Sequence, residues 1–422
     1  MLKIVETLRT KFNNCKRLKK VSYYFTLALL FLYVFSIPSF ANRPGLNYIC
    51  YGLVATLIGI TILYILLFGI ERKFDKRTLI VIVFVVSSLI GTITFSHRFD
   101  GVLTLVLLMI SMFAIYLAMM IINNNTLLFW VFSLAFFAFS IYFLIYYREA
   151  ILNYASYSYD EFRIGWEFEN PNTVGSFMTL ALSLSVFLVL FKKGKLRFLT
   201  LLPIASFLIV GLTTGSRTFL ISIFVITICF ILFKFKKHLL IAILVTAGIL
   251  VIAIVCINTM PFLATIKYRL DDTLSIFSVG VASGSTLERI LWQKYGFFLA
   301  SRRIFFGFGE SGFAIASGVN TYTHGNFTEM LCDFGLVGFL LFYIFNLGPA
   351  FISCFSKKPD REYVITILIV LLINGFLSVY YYDKCTYVVM AFCYYLLDNA
   401  KPSIKRKRIV HVHKMDYCEE EI

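Results

Sequence analysis

Apolar runs of about 20 residues recur along the whole chain, and they constrain its fold more than any other feature. A backbone crossing a bilayer has to satisfy its own N–H and C=O groups, either within a helix or around a closed barrel. The runs here are continuous rather than alternating, so they predict helices and not barrel strands. We place them near 21–37, 46–70, 78–95, 101–122, 126–147, 173–191, 196–213, 217–234, 238–258, 328–355, 362–381 and 385–398. The fold class is therefore all-α: a polytopic integral membrane protein with about 12 transmembrane helices. A mean hydropathy of +0.84 excludes an ordinary soluble domain.

If the runs alternate across the membrane, 27 of the 39 Lys and Arg residues fall on one side. That side holds both termini and the loops ERKFDKR (71–77), NNN (123–125), FKKGKLR (191–197), KFKKH (234–238) and SKKPDR (356–361). Positive loops mark the cytoplasm, so both termini are expected there. The net charge of +16 then reports loop orientation and not nucleic-acid binding. The expected division is a basic cytoplasmic N-terminus (1–20) and nine helices over 21–258, with an outer loop at 148–171. A large extracytoplasmic loop (259–327), three further helices (328–398) and a cytoplasmic tail (399–422) follow. The basic N-terminus precedes an apolar run with no small-residue cleavage site, which predicts a retained first helix. Nine cysteines are scattered without a CxxC, and read as apolar fillers with no disulfide framework. No soluble domain lies on the cytoplasmic side, so chemistry is expected at the outer face.

Five histidines occur, and only His324, in TYTHGNFTEML (321–331), lies in the long outer segment just before a helix. It is either a solvated loop residue or a base held at the membrane face. Asn326 and Glu329 match the N-cap and N3 of the following helix, a capping box that would hold His324 in place. Glu329 and Asp333, four residues apart on one face, could form an acidic pair. Residues 285–301, STLERILWQKYGFFLAS, carry apolar positions at Leu287, Ile290, Leu291 and Phe298, which predicts an amphipathic helix in the interface. Arg289 projects roughly opposite that stripe, near Trp292, Gln293 and Gly296. It is a solvated arginine or a fork for phosphate oxygens. Arg217, in TTGSRTFL (213–220), opens the eighth helix; it snorkels, or it binds an anion with help from the helix N-terminus. Arg163 is a further outer cation. Asn170 and Pro171 in FENPNTVG (168–175) read as an N-cap and N1. GFGESG (307–312) matches a dinucleotide fingerprint only in spacing, because no strand–helix unit surrounds it, and reads as tight turns leading to His324. The chain has no DxD, and the adjacent Asp271 and Asp272 make a poor metal cage. No metal or cofactor is expected.

Four pieces occur in order: NPN (170–172), SRT (216–218), the ER-I-LW helix (288–292), and the G-F-G run leading to H-G-N-F-T-E-M-L and G-L-V-G (335–338). With about a dozen helices and one large outer loop, this resembles the bacterial O-antigen polymerase/ligase family. Family members usually read HN at the histidine, whereas here Gly325 stands between His324 and Asn326. The resemblance implies a metal-independent glycosyl transfer at the outer face of the bacterial plasma membrane. The donor would be an oligosaccharide on undecaprenyl diphosphate. His324 would be the base toward an acceptor hydroxyl, and Arg289 and Arg217 would stabilise the leaving diphosphate. Arg163, Asn326 and Trp292 join the expected substrate contacts. Besides the bilayer, flippase and chain-length regulator proteins are implied partners.

In a polymerase of capsule, O-antigen or exopolysaccharide, the acceptor is the terminal sugar of a lipid-linked repeat unit; in a ligase it is a different molecule. The usage rich in Phe, Ile, Lys and Tyr leans toward a Gram-positive source without a lipid A core, and so toward the polymerase. A flippase or transporter is the alternative of another class, and helix interiors almost free of charge argue against it.

Overall fold

A computed structural model describes residues 16–68, 76–154, 163–260, 263–279, 284–319, 321–356, 358 and 360–399. Most of the basic loop 71–77, Lys11, and the tail with His411 and His413 lie outside the described residues.

Among the described residues the chain is helical throughout and has no strand. The main helices are α1 (Lys16–Phe40), α2 (Asn47–Phe68), α3 (Lys76–Gly91, continued by a π turn, Thr92–Ser96), α4 (Phe99–Ile122) and α5 (Asn125–Tyr146). Then come α6 (Pro171–Phe191), α7 (Leu201–Thr213, led by a 3-10 turn at Lys195–Thr200), α8 (Arg217–Lys234) and α9 (Leu239–Thr259). Next are α10 (Ala264–Val279), α11 (Gly284–Ala300), α12 (Asn326–Phe355), α13 (Arg361–Leu377) and α14 (Lys384–Asp398). Each of the twelve apolar runs is one of these helices, and ten helices among the described residues are long and apolar enough to cross a membrane.

The two exceptions are α13 and α14, of 17 and 15 residues. Fifteen helical residues span only about 22 Å, against a hydrocarbon core of about 30 Å. The expected run 362–381 is cut short because Asn326 Oδ1 accepts from the backbone N–H of both Tyr380 and Tyr381, at 3.0 Å each. Those donors are no longer available to a helix, so the chain from Ser378 to Asp383 leaves α13 and restarts only at the Asp383 cap, which accepts from Cys385 N and Thr386 N. Every residue of α14 from Cys385 to Leu397 is buried, as expected of a helix that is apolar all round and enclosed by others. In α9, by contrast, only Ala242 is buried, and the rest presents an apolar exterior suited to lipid.

Small polar residues tie the inner helices together. Ser133 and Ser185 meet at 2.6 Å, as do Ser140 and Ser206, and Ser222 Oγ donates to Asn374 Oδ1 at 2.8 Å. Several helix starts follow sequence rules. Asn170 caps α6 ahead of Pro171, and Ser216 caps α8 by accepting from Phe219 N. At the end of α6 away from Asn170, Lys192 Nζ meets Asp360 Oδ1 at 2.5 Å.

The expected long outer segment holds α10, α11 and a short helix, Gly312–Ser317. Its junction with the bundle is a break in α12. Gly335 takes φ 64° and ψ −170°, a backbone region open essentially to glycine alone. The carbonyls and N–H groups freed by the break are taken up by residues 304–309. Phe308 N donates to Cys332 O (2.9 Å) and Gly309 N to Asp333 O (2.7 Å). In the other direction Leu336 N donates to Ile304 O (2.6 Å) and Val337 N to Phe305 O (3.1 Å). The GFG run therefore does more than turn the chain: it is threaded against a transmembrane helix, where unsatisfied backbone is costly.

Gly335→Ala should be strongly destabilising. Its Cβ would lie 2.5 Å from the Phe305 carbonyl, and the backbone strain alone is worth about 1–3 kcal/mol. Thermal unfolding followed by size-exclusion in detergent should show a large drop, whereas Gly248→Ala, which meets nothing within 4 Å, should leave the melting point unchanged. Equal melting points for the two variants would refute the threaded arrangement.

Candidate functional site

The α11 helix divides as its sequence predicts. Leu287, Leu291 and Phe298 are 40%, 51% and 50% exposed, an apolar stripe left about half open. The opposite face packs onto residues 323–328. A Cβ on Gly296 would fall 2.6 Å from Thr328 and 2.7 Å from Thr323, so glycine lets the two segments touch. Next to it, Gln293 Nε2 donates to Phe376 O (3.0 Å) and Arg289 Nη1 to Leu377 O (3.3 Å). Both serve carbonyls at the end of α13, where a helix leaves acceptors unpaired and favours positive charge. Gly325 has an account in the same contact, since a Cβ there would come within 3.0 Å of Gln293 Nε2.

His324 stands in left-handed backbone (φ 62°), uncommon for a residue with a side chain and tolerated better by His than by most. Its ring lies 4.4 Å from that of Tyr322. Burial, then the Arg289 charge, lower its pKa to about 4, so the imidazole is neutral and able to accept a proton at neutral pH. Arg289 is itself lowered by burial and then by Arg217. Arg163 is lowered to about 10 by burial, then by Arg289 and Arg217. Three guanidiniums thus press on one another, a field that an incoming anion would relieve. Their hydrogen-bond partners differ. Arg163 donates to Asn172 Oδ1 (2.9 Å) and to Thr214 O (3.3 Å). Arg217 is held by Thr273 Oγ1 (2.7 Å), Thr286 Oγ1 (2.6 Å) and Asp272 (3.4 Å).

Arg289, His324 and Tyr322 open into a narrow cleft of about 50 Å³, together with Asn172, Asn374 and Asp383. A second cavity, of 750 Å³, adjoins it, and Asn170, Thr173, Tyr322, Val379 and Asp383 line both. The larger one bears Glu169, Glu310, Glu329 and Asp383. Burial raises the Glu169 carboxyl to about 7 and that of Asp383 to about 6.

The expected site residues divide by placement. His324 and Arg289 share the cleft. Arg217 and Arg163 line neither cavity and stand behind the cleft as part of the cationic cluster. Trp292 packs beside Phe313, Leu299 and Cys332, outside both cavities. The capping box is not formed: Gly325 is the N-cap of α12 and Asn326 is its first helical residue. Asn326 is fully buried, and besides Tyr380 N and Tyr381 N it serves the Tyr343 hydroxyl (2.8 Å). Its side chain is consumed in joining α12 to the 378–383 segment. Glu329 reaches back, but to Thr323 N (2.6 Å), and so orders the strand of chain before His324. Asp333 is buried too, accepting from Phe313 N (3.0 Å) and the Tyr381 hydroxyl (2.7 Å). Sequence reading missed Asn172, Glu310, Tyr322, Asn374 and Asp383. Of these, Asn374 carried a signal: an amide inside an apolar run, LLINGFL (371–377), marks an inward polar position.

Asn326→Ala would strand two buried backbone N–H groups, at about 1–3 kcal/mol each. A lowered melting point is expected for this variant, with any loss of activity following the loss of folded protein. A normal melting point would mean that Asn326 does not anchor the 378–383 segment.

Residues 202–343 match the family model described as O-antigen ligase. The matched stretch runs from α7 into α12 and contains Arg217, Arg289 and His324. No curated protein matches the chain. The match supports an O-antigen ligase/polymerase-type membrane enzyme.

Proposed function

From the O-antigen ligase family match over residues 202–343, we propose that this protein is a metal-independent polysaccharide polymerase. It transfers a glycan from undecaprenyl diphosphate to the terminal sugar hydroxyl of a lipid-linked repeat unit. The observation that carries this reading is an imidazole and a guanidinium facing one cleft, with two more guanidiniums behind it. The acceptor oxygen forms a bond to the anomeric carbon while the bond from that carbon to the phosphate oxygen breaks. The hydroxyl proton passes to His324, and the electron pair leaves with the diphosphate. Arg289 stabilises the charge on that leaving group directly, and Arg163 and Arg217 add their field. Ligation to a different acceptor uses the same steps. The polymerase reading is preferred on the usage rich in Phe, Ile, Lys and Tyr, which leans toward a source without a lipid A core.

The outer face is the proposed location. Lys192–Arg197 and Lys234–Lys237 follow the ends of α6 and α8 remote from the cleft, as expected if those ends are cytoplasmic. The exposed stripe on α11 suits an interfacial helix beside a lipid-borne substrate.

Protein reconstituted with isolated lipid-linked repeat units should lengthen them without nucleotide or added metal. His324→Asn tolerates left-handed backbone but removes the base, and should lower the rate by about 10²–10⁴-fold with an unchanged melting point. Arg289→Ala should cost about 10²–10³-fold. Parental rates in His324→Asn would remove the base assignment, and sugar translocation without bond formation would favour a flippase.

A second expectation concerns pH. His324 acts only when unprotonated, and its pKa sits near 4 rather than 6.5. The kcat/KM term set by this residue should therefore hold through neutral pH and fall only as pH approaches about 4. A His324-dependent decline centred at 6.5 would contradict the buried setting.

A further inference from the structure

The cleft with His324 is narrow, about 50 Å³, and leaves the second saccharide of the proposed transfer without a place. The adjoining 750 Å³ cavity falls within the usual range for a small-ligand site, and the reaction as described gives it no task. Its lining mixes carboxylates (Glu310, Glu329), hydroxyl and amide groups (Thr173, Asn42) and ring faces (Tyr322, Phe177). Carboxylates accept from vicinal hydroxyls, amides and alcohols do both, and rings cover the apolar face of a pyranose. Diphosphate, in contrast, would meet Glu169, Glu310, Glu329 and Asp383 against only Arg98 and Lys384.

We propose that this cavity is the acceptor subsite, taking the terminal sugars of a hydroxyl-rich saccharide and presenting one hydroxyl past Tyr322 to His324. The inference rests on reading the Arg289–His324 cleft as the donor end of the site. The two sites share the wall formed by Asn170, Thr173, Tyr322, Val379 and Asp383, so an acceptor in one lies beside the cleft of the other.

Glu310 is the residue most deliberately placed for this task. It follows the threaded GFG run and precedes Ser311, which takes left-handed backbone (φ 54°). Backbone strain of this kind persists only where surrounding structure enforces it. The Glu310 carboxyl accepts from Ser311 Oγ (2.9 Å) and from the Tyr382 hydroxyl (3.1 Å). It also occupies the place beside α4 where a Cβ on Gly101 would stand, 2.0 Å from its carboxyl carbon. Absence of a side chain at Gly101 therefore leaves room for the carboxylate at the cavity wall.

The test uses full-length protein in nanodiscs and the free oligosaccharide released by mild acid from the lipid-linked glycans of the producing cells. Its binding is measured by saturation-transfer NMR, and binding of undecaprenyl diphosphate is measured in parallel as a report on folding and the donor end. Ala314→Trp fills the cavity from a residue that lines only this site, and Glu310→Gln removes one carboxylate with little change of shape. We expect the oligosaccharide to bind the parent and to bind each variant at least tenfold more weakly. Undecaprenyl diphosphate should bind all three within twofold. No oligosaccharide binding to the parent, or equal binding in parent and both variants, overturns the proposal. Elongation of lipid-linked repeat units is scored separately. A parent that binds the oligosaccharide but elongates nothing refutes the polymerase reading and leaves the saccharide subsite standing. A parent that elongates while Ala314→Trp elongates equally well refutes the subsite alone.

Discussion

The break in α12 at Gly335 is the constraint on which the rest of the site depends. A membrane-spanning helix that opens must find new partners for its backbone, because the bilayer offers none. Here the partners come from residues 304–309, through four hydrogen bonds running in both directions. The fit requires glycine at several places at once. A Cβ at Gly307 would strike the Asp333 backbone at 2.5 Å, and one at Gly309 would come within 2.7 Å of Thr92 in the π turn after α3. The threaded run thereby binds α3, α12 and the α10–α11 segment into one unit. Glu310 is placed at the cavity wall as a consequence.

From that unit the site follows in two halves of opposite sign. One half gathers Arg163, Arg217 and Arg289 around a neutral His324. The other gathers buried carboxylates, with Glu310 among them. Only the shared wall separates them, and Asp383 belongs to both. Such an arrangement suits the two substrates of the proposed transfer, which differ in charge. Asp272 stands against Arg217 at 3.4 Å, joining α10 to the start of α8 and limiting where that arginine can point.

Asn326 shows how a residue next to a functional one can be mistaken for part of its chemistry. The spacing of Asn326 and Glu329 is that of a capping box, and a helix does begin there. Yet the cap falls one residue earlier, and Asn326 turns inward to hold Tyr380 and Tyr381. The partner segment lies more than 50 residues away, so no local pattern could reveal the competition. Trp292 teaches the same lesson: its spacing puts it near Arg289, but it turns toward Phe313.

The sequence by itself determined the helices, the caps at Asn170 and Ser216, the exposed apolar stripe of α11 and the nomination of His324 and Arg289. These follow from apolar run length, local hydrogen bonding and a helical period, all of which act between near neighbours. Only the tertiary structure decided that α13 stops at Leu377, that GFG threads a broken helix, and that Glu310, Asn374 and Asp383 face cavities beside His324. Those outcomes depend on which backbone groups and carboxylates meet across the bundle, and pairing at that distance leaves no periodic trace in the chain.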